Sequence, residues 1–389
     1  MHSLQGPEMT EPRWPGRYGS GLSVSLQGVT ADTISHLATE LGSRITLLDT
    51  DAQVTTIPSQ LRGAIIRVGP NTVILPAGVG DSELTKLRSS RETVERLSVT
   101  AADLPRLREQ LPEGLKRLNV RGPEVTEPRW PEWHRWGLSV SLQGVAADTI
   151  SYLADLGRTV RLLEIYDCPD HMAGSLEPLT RCRGLQDLSV TAADLPLLRG
   201  QLPEGLSRLN VRGPEVTEPR WPGRSPWGGL SVSLQGVAAD TISHLADLGR
   251  RVRRLEIYDC SDLTAGSLEP LTRCPELLSL TLSGGVPDTV SLEPLTRCRE
   301  LWELTLSGGV PDTVSLEPLT RLVKSCRELY SLYLHCTADT GRAVLTALKE
   351  ADLRRSNGEP RTIYLRVPGE LYWQLMSQGG DGVEVRKWY

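Results

Sequence analysis

Seven cysteines and six histidines are the residues of this 389-residue chain whose types could support nucleophilic or metal chemistry. A cysteine becomes a nucleophile where its surroundings lower the thiol pKa, and a metal site needs several ligand side chains at close spacing. The cysteines include no C-x-x-C pair, and the histidines form no H-E-x-x-H or comparable motif. We therefore predict no catalytic, cofactor-binding or metal-ligating residue.

Two short segments offer weaker chemistry. The glycine-rich run PAGVGDSELTK, from Pro76, contains a lysine but lacks the spacing of a phosphate-binding loop, so it is predicted to be a turn. Cys168-Pro169-Asp170 and Cys260-Ser261-Asp262 each place an acid two residues after a thiol. Both cysteines fall where a strand is expected to end and a small buried residue is needed, which favours a structural role.

The composition is that of a soluble folded protein without an overall basic field. Hydrophobic residues make up 39% and charged residues 23%, and the net charge is −5, which predicts no membrane span and disfavours nucleic acid as a general partner. The chain contains no Phe, so Leu, Val and Ile must fill the core, as suits many small similar layers. An odd number of cysteines favours a reducing compartment, and the absence of an N-terminal signal predicts either a cytoplasmic protein or a sequence whose true start is missing.

Internal repetition is the strongest signal in the sequence. The stretch GPEVTEPRWPEWHRWGLSVSLQGVAADTISYLADLG begins at Gly122 and returns, nearly unchanged, from Gly213, with a third copy from Gly6. The two later copies are offset by 91 to 92 residues, whereas the equivalent Leu22 and Leu138 are 116 residues apart. The first copy therefore carries about 25 extra residues, and we interpret residues 51–75, with the strand-like 64–68, as one added coil.

Each large copy contains four smaller units with an apolar triplet in each. In the second copy the triplets centre on Val140, Leu163, Leu188 and Leu209, at spacings of 23, 25 and 21 residues. Later, SLEPLTR recurs in 24-residue steps from Ser267. Alternation places the leucines of each triplet on one side of a strand, and no strand this short can cover its own apolar side, so the units must stack.

The repeat motifs resemble those of the leucine-rich-repeat family. The pattern L-x-x-L-x-L occurs at Leu277-Leu280-Leu282 and Leu301-Leu304-Leu306. LEIYDC, from Leu163, is similar to cysteine-containing, ribonuclease-inhibitor-like repeats, and LPEGL, from Leu111, to bacterial LPX-like repeats. Gly285, Gly309 and Pro214 stand where the family often has Asn or Cys. The resemblance implies an α/β solenoid, a horseshoe with a parallel concave β-sheet and a mixed helix and extended convex side.

We predict two regions. Residues 1–340 form the solenoid, with about 14 units including the extra coil near 51–75, and residues 341–389, with a helix over 342–355, form a C-terminal capping region. The chain opens inside a repeat strand, so we expect either a missing upstream portion or a partner that covers this end.

Three kinds of segment are predicted to cover the convex side. ADTISHLADLG, from Ala239, is expected to be a helix capped by Asp240 or Thr241, with Ile242, Leu245 and Leu248 inward. SLEPLTRC and TAADLPLLRGQL are expected to form shorter helical turns. The cysteine that ends each LTRC-like segment is expected to fill a layer of the apolar core. PEVTEPRWP, with three prolines in nine residues, should run extended, with its tryptophan against a neighbouring turn.

The outward positions of the strands are the predicted partner-binding surface on the concave face. Tyr and Arg on rigid strands are frequent anchors of protein interfaces. Glu164 and Tyr166 recur as Glu256 and Tyr258, which predicts two similar contact sites for a repetitive or bivalent ligand. The predicted set is Glu164, Tyr166, Asp187, Arg208, Asn210, Arg212, Arg254, Glu256, Tyr258, Glu303, Tyr333 and His335.

The predicted function is that of a protein-binding scaffold, sensor or adaptor that is not an enzyme and uses no cofactor. Its partner is expected to be a protein of unknown identity, and the repeats a monomer or part of a larger chain. One alternative, suggested by the LPEGL units, is the substrate-recognition arm of an effector or ubiquitin ligase whose catalytic domain is outside this chain. Cys168-Pro169-Asp170 resembles the nucleophile motif of bacterial leucine-rich-repeat ligases, but in that family the nucleophile lies in a separate helical domain. A second is RNA or ribonucleoprotein binding by the basic strip Arg250-Arg251-Val252-Arg253-Arg254.

Overall fold

The computed structural model describes most of the chain. The described residues are 2–5, 22–41, 44–51, 59–61, 63–78, 94–107, 111–135, 137–156, 159–167, 176–198, 202–226, 228–259, 263–264, 266–284, 291–307, 316–351, 353–380 and 382–388. The predicted positions Cys168, Cys260, Gly285 and Gly309 lie outside them.

The chain divides into two compact units, residues 1–186 with 203–205, and residues 187–202 with 206–389. Among its described residues each unit contains nine strands that pair in chain order. The strands of the first unit are β1 (His2–Gln5), β2 (Leu22–Gln27), β3 (Ile45–Thr50), β4 (Ile65–Val68), β5 (Thr72–Ile74), β6 (Arg96–Thr100), β7 (Arg117–Arg121), β8 (Leu138–Gln143) and β9 (Val160–Tyr166). Those of the second are β10 (Asp187–Thr191), β11 (Arg208–Arg212), β12 (Leu230–Gln235), β13 (Val252–Tyr258), β14 (Ser279–Ser283), β15 (Glu303–Ser307), β16 (Ser331–Leu334), β17 (Ile363–Pro368) and β18 (Val383–Trp388).

Neighbouring strands other than β4 and β5 are parallel because each repeat starts its strand at the same end of the sheet. In the first unit Leu118 of β7 pairs with Val140 of β8, which pairs with Leu163 of β9. These positions are fully buried, while the residues between them face the other side. The predicted triplets are thus successive rungs of one sheet in this unit.

The inserted segment of the first copy is more than the single coil predicted. Its strands β4 and β5 form an antiparallel hairpin, with Ile66 opposite Ile74, before β5 resumes parallel pairing with β6. The turn between them, with Gly69 at φ 65°, is too short for a parallel crossover, which needs a dozen residues or more.

In the second unit the same kind of column of buried apolar residues, one from each strand, continues along the sheet. One buried leucine or valine per strand runs from Leu188 in β10 to Leu365 in β17. Residues 341–389 continue this sheet with two further parallel strands, β17 and β18. Their role as a cap stays a prediction.

The connections on the apolar side of the sheet are short because each needs only to bury one or two leucines. The α-helices are Ala31–Leu41, Leu104–Leu107, Ala147–Asp155, Ala239–Ala246, Leu316–Ser325, Ala338–Glu350 and Gly369–Leu375. The 3-10 helices are Ser59–Leu61, Glu177–Arg181, Ala192–Leu198, Gly249–Arg251, Glu269–Arg273, Glu293–Arg297 and Met376–Gln378.

Two sequence predictions for these connections need correction. The helix Ala239–Ala246 buries Ile242 and Leu245 as expected, but its N-cap is Ala238 and no side chain caps it. The helix predicted over 342–355 spans Ala338–Glu350, because Thr337 accepts a hydrogen bond from the Thr340 amide and fixes an earlier start.

The repeating cysteines fill layers on this apolar side. Cys182, Cys274, Cys298 and Cys326 are buried and free, and burial raises the pKa of the last two to about 12. The thiol of Cys326 donates to the carbonyl oxygen of Leu295 over 3.3 Å. These cysteines therefore have the structural role that their periodicity predicted.

Candidate functional site: the polar face of the strands

The polar side of β6 to β8 holds a ladder of hydrogen-bonded side chains. Ser98 donates from Oγ to Oδ1 of Asn119 over 2.8 Å, and Asn119 donates from Nδ2 to Oε1 of Gln143 over 2.8 Å. A second bond from Asn119 Nδ2 reaches the carbonyl oxygen of Arg129, also at 2.8 Å. The segment 122–135, which follows β7, is thereby held against the polar face, and we call it the first strap.

The first strap also contacts the next two strands. The amide of Arg129 donates to Gln143 Oε1 over 2.7 Å, and the amide of Glu132 donates to Glu164 Oε1 over 3.1 Å. The other oxygen of Glu164 accepts from the Tyr166 hydroxyl at 2.7 Å, and the Arg129 guanidinium lies 4.1 Å from the centre of the Tyr166 ring. The buried Glu164 carboxylate thus has hydrogen-bond donors for both of its oxygens, and the Arg129 guanidinium packs on the ring of one of those donors, Tyr166.

The second unit repeats this arrangement with residues 213–225, which we call the second strap. Asn210 Nδ2 donates to the carbonyl oxygen of Arg220 over 2.8 Å, and the Gly223 amide donates to Glu256 Oε1 over 3.2 Å. Glu256 Oε2 accepts from the Tyr258 hydroxyl, and the Arg220 guanidinium lies 3.8 Å from the Tyr258 ring centre. Burial, with the bond to Glu256, raises the pKa of Tyr258 to about 12.

Each strap starts at a glycine, at a point where neighbouring backbone leaves no room for a Cβ atom. A Cβ on Gly122 would lie 1.8 Å from the carbonyl oxygen of Gly144, and one on Gly213 would lie 1.7 Å from that of Gly236. Before each glycine stands a buried arginine, Arg121 or Arg212. Burial lowers the pKa of Arg121 to about 10, and its guanidinium donates to Ser98 and to the carbonyl oxygen of Leu75.

The straps correct two sequence predictions. PEVTEPRWP lies on the polar face of the strands and not on the apolar side, because its backbone groups find partners in the side chains of Asn119, Gln143 and Glu164. The expectation of an open surface is also wrong for seven of the twelve predicted residues, which are buried: Glu164, Tyr166, Asp187, Asn210, Arg212, Glu256 and Tyr258. Tyr166 and Tyr258 are 3% and 9% exposed, so the two contact sites proposed for a bivalent ligand are covered.

Five predicted residues keep access to solvent. Arg208 and Arg254 are half-buried in ion pairs, Arg208 with Asp187 and Arg254 with Glu256. Glu303 and Tyr333 are half-buried on β15 and β16, and His335 is exposed just after β16. The part of these five residues in partner binding stays a prediction.

An open part of the polar face lies on β15 to β18 and carries aromatic residues that were not predicted from the sequence. Trp302, which precedes β15, is 37% exposed, and its ring centre lies 5.7 Å from that of Tyr330. Tyr330 in turn lies 4.5 Å from Tyr364 of β17, over which the Arg386 guanidinium lies at 3.6 Å. Register aligns these residues although they come from different repeats.

A second group lies on the same face around Tyr333. The Arg366 guanidinium is 5.0 Å from the Tyr333 ring centre, and the Trp388 ring is 5.7 Å from it at an edge-on angle of 77°. Burial and then Glu303 raise the pKa of Tyr333, which places the Glu303 carboxylate near the phenol. We call the whole set, namely Trp302, Glu303, Tyr330, Tyr333, Tyr364, Arg366, Arg386 and Trp388, the aromatic–arginine face.

Other candidate chemistry finds less support in the described parts of the chain. Within them no three His, Cys, Asp or Glu side chains are grouped so as to hold a metal ion. No described helix is both long and apolar enough to cross a bilayer. In the basic strip, Arg253 pairs with Glu276 at 2.6 Å, Arg254 pairs with Glu256, and Arg251 donates to the carbonyl oxygen of Leu202.

In each unit the repeated triplets, the parallel register and the short apolar connections define an α/β leucine-rich-repeat solenoid. No family model matches the chain, and no curated protein matches it in sequence. Among solved structures it is similar to LegL7, a leucine-rich-repeat-containing protein from Legionella pneumophila, at 15% identity over 71% of this chain and 88% of that chain, with a TM-score of 0.39.

Two further matches are complexes. The structure of the yeast Rad7 and Elc1 complex matches at 16% identity over 88% of this chain and 84% of that chain, with a TM-score of 0.32. The TLR13–ssRNA13 complex matches at 13% identity over 84% of this chain and 50% of that chain, with a TM-score of 0.35. At these identities and TM-scores the likeness says nothing about a partner or an activity of this chain.

Proposed function

We propose that this protein is a non-catalytic scaffold that binds a protein partner through the aromatic–arginine face. The observation that supports this most is the grouping of two tryptophans, three tyrosines and two arginines on the open side of β15 to β18. Trp, Tyr and Arg are the residue types whose truncation most often costs binding energy at protein interfaces.

The rigidity of the face supports the proposal. Tyr333, Tyr364 and Trp388 lie on strands paired residue by residue, and their rings contact one another or a guanidinium. Side chains held in this way lose little conformational freedom when a partner binds. An aromatic cluster that also filled the core would be covered by other residues, whereas Trp302 and its neighbours keep partial exposure.

The charges favour a protein with both polar and apolar groups at its contact surface. Arg386 pairs with Glu384 at 2.9 Å, so its charge is largely offset. Glu303 and Arg366 form no ion pair within the described chain, and they lie on either side of Tyr333. We propose a partner that presents a cation to Glu303, an acceptor to Arg366 and apolar atoms to the rings.

We extend the proposal to a cytoplasmic location and to the absence of catalysis. The buried Cys182, Cys274, Cys298 and Cys326 are in no disulfide, and buried reduced thiols fit a reducing compartment. Burial raises the pKa of Cys274 to about 11, which is the reverse of the lowered pKa that a nucleophilic cysteine needs.

Affinity capture with the full chain tests the proposal. The protein is immobilised and exposed to a native cell extract, and the proteins retained by the wild type are compared with those retained by Trp302→Ala/Tyr333→Ala/Arg366→Ala. We expect at least one protein to bind the wild type and to bind the triple variant about tenfold more weakly or worse, a loss of about 1.4 kcal/mol.

A matched control changes exposed residues away from this face. Glu269 and Arg297 form an exposed pair between successive 3-10 helices, so Glu269→Ala/Arg297→Ala should retain every specific partner. Equal retention of all partners by the wild type and the triple variant, with both folded by circular dichroism, would contradict the proposal.

A further inference from the structure

Arg96 and Arg117 lie directly opposite each other on adjacent parallel strands of the first unit, β6 and β7. Both occupy polar-face positions, Arg96 exposed and Arg117 half-buried. Neighbouring strands are about 4.8 Å apart, so the two side chains leave the sheet next to each other, and the charge of Arg96 acts on Arg117. Like charges placed directly opposite each other in a sheet repel and destabilise the pairing.

The described protein does not offset this repulsion with an ion pair of its own. Three carboxylates act on Arg117 from nearby, those of Glu164, Glu132 and Glu95, but none forms an ion pair with it. Glu95 pairs with Lys116, and Glu164 accepts from the Tyr166 hydroxyl and the Glu132 amide. Burial, followed by the charge of Arg96, lowers the pKa of Arg117, while Glu164, Glu132 and Glu95 act in the opposite direction without reversing the shift.

The second unit contains an equivalent site in which an aspartate stands in place of one of the two arginines. Residues 91 positions later are Asp187 and Arg208, which pair in the same register on β10 and β11. There the Asp187 carboxylate accepts from Arg208 Nε at 2.7 Å and from Arg208 Nη2 at 2.6 Å, which makes a bidentate pair. A second cation, Arg224, approaches the same carboxylate to 3.9 Å.

Two of the surrounding contacts recur in both copies. Ser98 donates to Asn119 in the first unit as Ser189 donates to Asn210 in the second. Arg121 and Arg212 each donate from Nε to the serine of their own ladder. The two sites differ most in the carboxylate itself and in Trp133, 55% exposed, which stands at the position of Arg224. The first unit also has Glu132 where the second has Gly223, and the Glu95–Lys116 pair where the second has Gln186 and Ser207.

We infer that Arg96 and Arg117 form a binding site for a carboxylate supplied by a partner protein, an Asp or Glu side chain that takes the place Asp187 occupies beside Arg208. The internal copy shows that this register of strands accommodates a carboxylate bonded to two donors of one guanidinium. In the first unit two arginines, instead of one, face the bound carboxylate. The exposed Trp133 supplies an apolar surface on the first strap.

The site goes beyond the aromatic–arginine face, because it lies in the other unit and depends on different residues. Fluorescence anisotropy of a labelled hexaglutamate peptide with the full chain at low salt measures it, with hexaglutamine as the neutral reference. We expect hexaglutamate to bind at least about tenfold more tightly than hexaglutamine. Arg117→Gln and Arg96→Asp should each lose that preference.

Arg96→Asp also separates loss of the site from loss of the fold. This substitution recreates the Asp187–Arg208 pair inside the first unit, so it should abolish peptide binding while the thermal midpoint stays the same or rises. Arg250→Gln, an exposed arginine of the second unit, is the matched control and should bind as the wild type does. The triple variant of the aromatic–arginine face should also bind hexaglutamate within about twofold, so failure of one proposal does not imply failure of the other.

Three results would overturn the inference. The first is equal affinity of the wild type for hexaglutamate and hexaglutamine. The second is hexaglutamate binding that Arg96→Asp and Arg117→Gln leave unchanged. The third is competition by inorganic phosphate at concentrations about tenfold lower than acetate requires, which would assign the arginine pair to phosphate instead of carboxylate.

Discussion

The hydroxyl of Tyr258 donates to Oε2 of Glu256 over 2.8 Å, from two positions further along the same strand. The other oxygen of this buried carboxylate accepts from the Gly223 amide and from Arg254 Nε. Because the second strap is joined to the sheet through this carboxylate, the phenol stabilises both the charge and the strap.

Replacing Tyr258 with Phe removes one of the donors to a buried carboxylate. We expect the free energy of unfolding to fall by about 1–3 kcal/mol, measured by urea denaturation. Tyr333→Phe is the control, since Tyr333 is half-buried and its stability effect should stay within about 0.5 kcal/mol. Equal effects of the two substitutions would show that the Glu256–Tyr258 bond does not stabilise the fold.

Asn210→Ala should loosen the second strap without unfolding the unit. The substitution removes the bond to the Arg220 carbonyl oxygen and the acceptor of Ser189. We expect trypsin to cleave after Arg220 roughly tenfold faster, as followed by mass spectrometry. Asn357→Ala removes only exposed contacts with Glu359 and should leave this rate unchanged. Equal rates for the wild type and Asn210→Ala would show that Asn210 does not hold the strap.

Gly213→Ala tests the close approach at the start of the second strap. The added Cβ would lie 1.7 Å from the Gly236 carbonyl oxygen, so the backbone must shift. We expect a loss of about 1–3 kcal/mol in the free energy of unfolding. Gly266→Ala meets no atom within 4 Å and should change stability by less than about 0.5 kcal/mol. A Gly213→Ala protein as stable as the wild type would refute the contact.

The buried thiols predict slow labelling and a loss of stability in alkali. In a Cys168→Ser/Cys260→Ser background at pH 8, we expect half-buried Cys336 to react with a disulfide reagent first, while Cys182, Cys274, Cys298 and Cys326 react only on unfolding. Rapid labelling of all five thiols in the folded protein would contradict their burial.

The same raised pKa values give the direction of the pH dependence. Burial raises the pKa of Cys298 from 9.0 to about 12, so the folded thiol binds its proton more tightly than the unfolded thiol. The stabilisation is complete below pH 9 and disappears as the pH rises toward 12. The urea midpoint should therefore fall faster above pH 9 in the wild type than in Cys298→Ala, and parallel curves would refute the burial effect.

Much of the fold could be predicted from the sequence because leucines mark each rung. The spacing between Leu209 and Leu188, for example, fixes which residues pair on β10 and β11. The hairpin of β4 and β5 could not be predicted in this way, since its residues follow no repeat and a single coil has a similar length.

The position of the straps could not be predicted from the sequence for a different reason. Their contacts join a side chain to a backbone group 10 to 33 residues away, as from Asn119 to Arg129 and from Gly223 to Glu256, and such bonds leave no periodic pattern. One signal was available: PEVTEPRWP has almost no aliphatic residues to cover a core layer, while Asn, Gln and Glu recur on the strands beside it. The aromatic–arginine face was partly found, through Glu303 and Tyr333, because its other residues come together only through register.

Hydroxyl-radical footprinting of the full chain, alone and with a captured partner, tests the central claim most directly. In the free protein we expect rapid oxidation of Trp302, Tyr333 and Trp388 and slow oxidation of Tyr166 and Tyr258 beneath the straps. On binding, oxidation of the first three should fall severalfold while the two covered tyrosines stay slow. Rapid oxidation of Tyr166 and Tyr258 in the free chain, or a partner that protects neither Trp302, Tyr333 nor Trp388, would contradict the account.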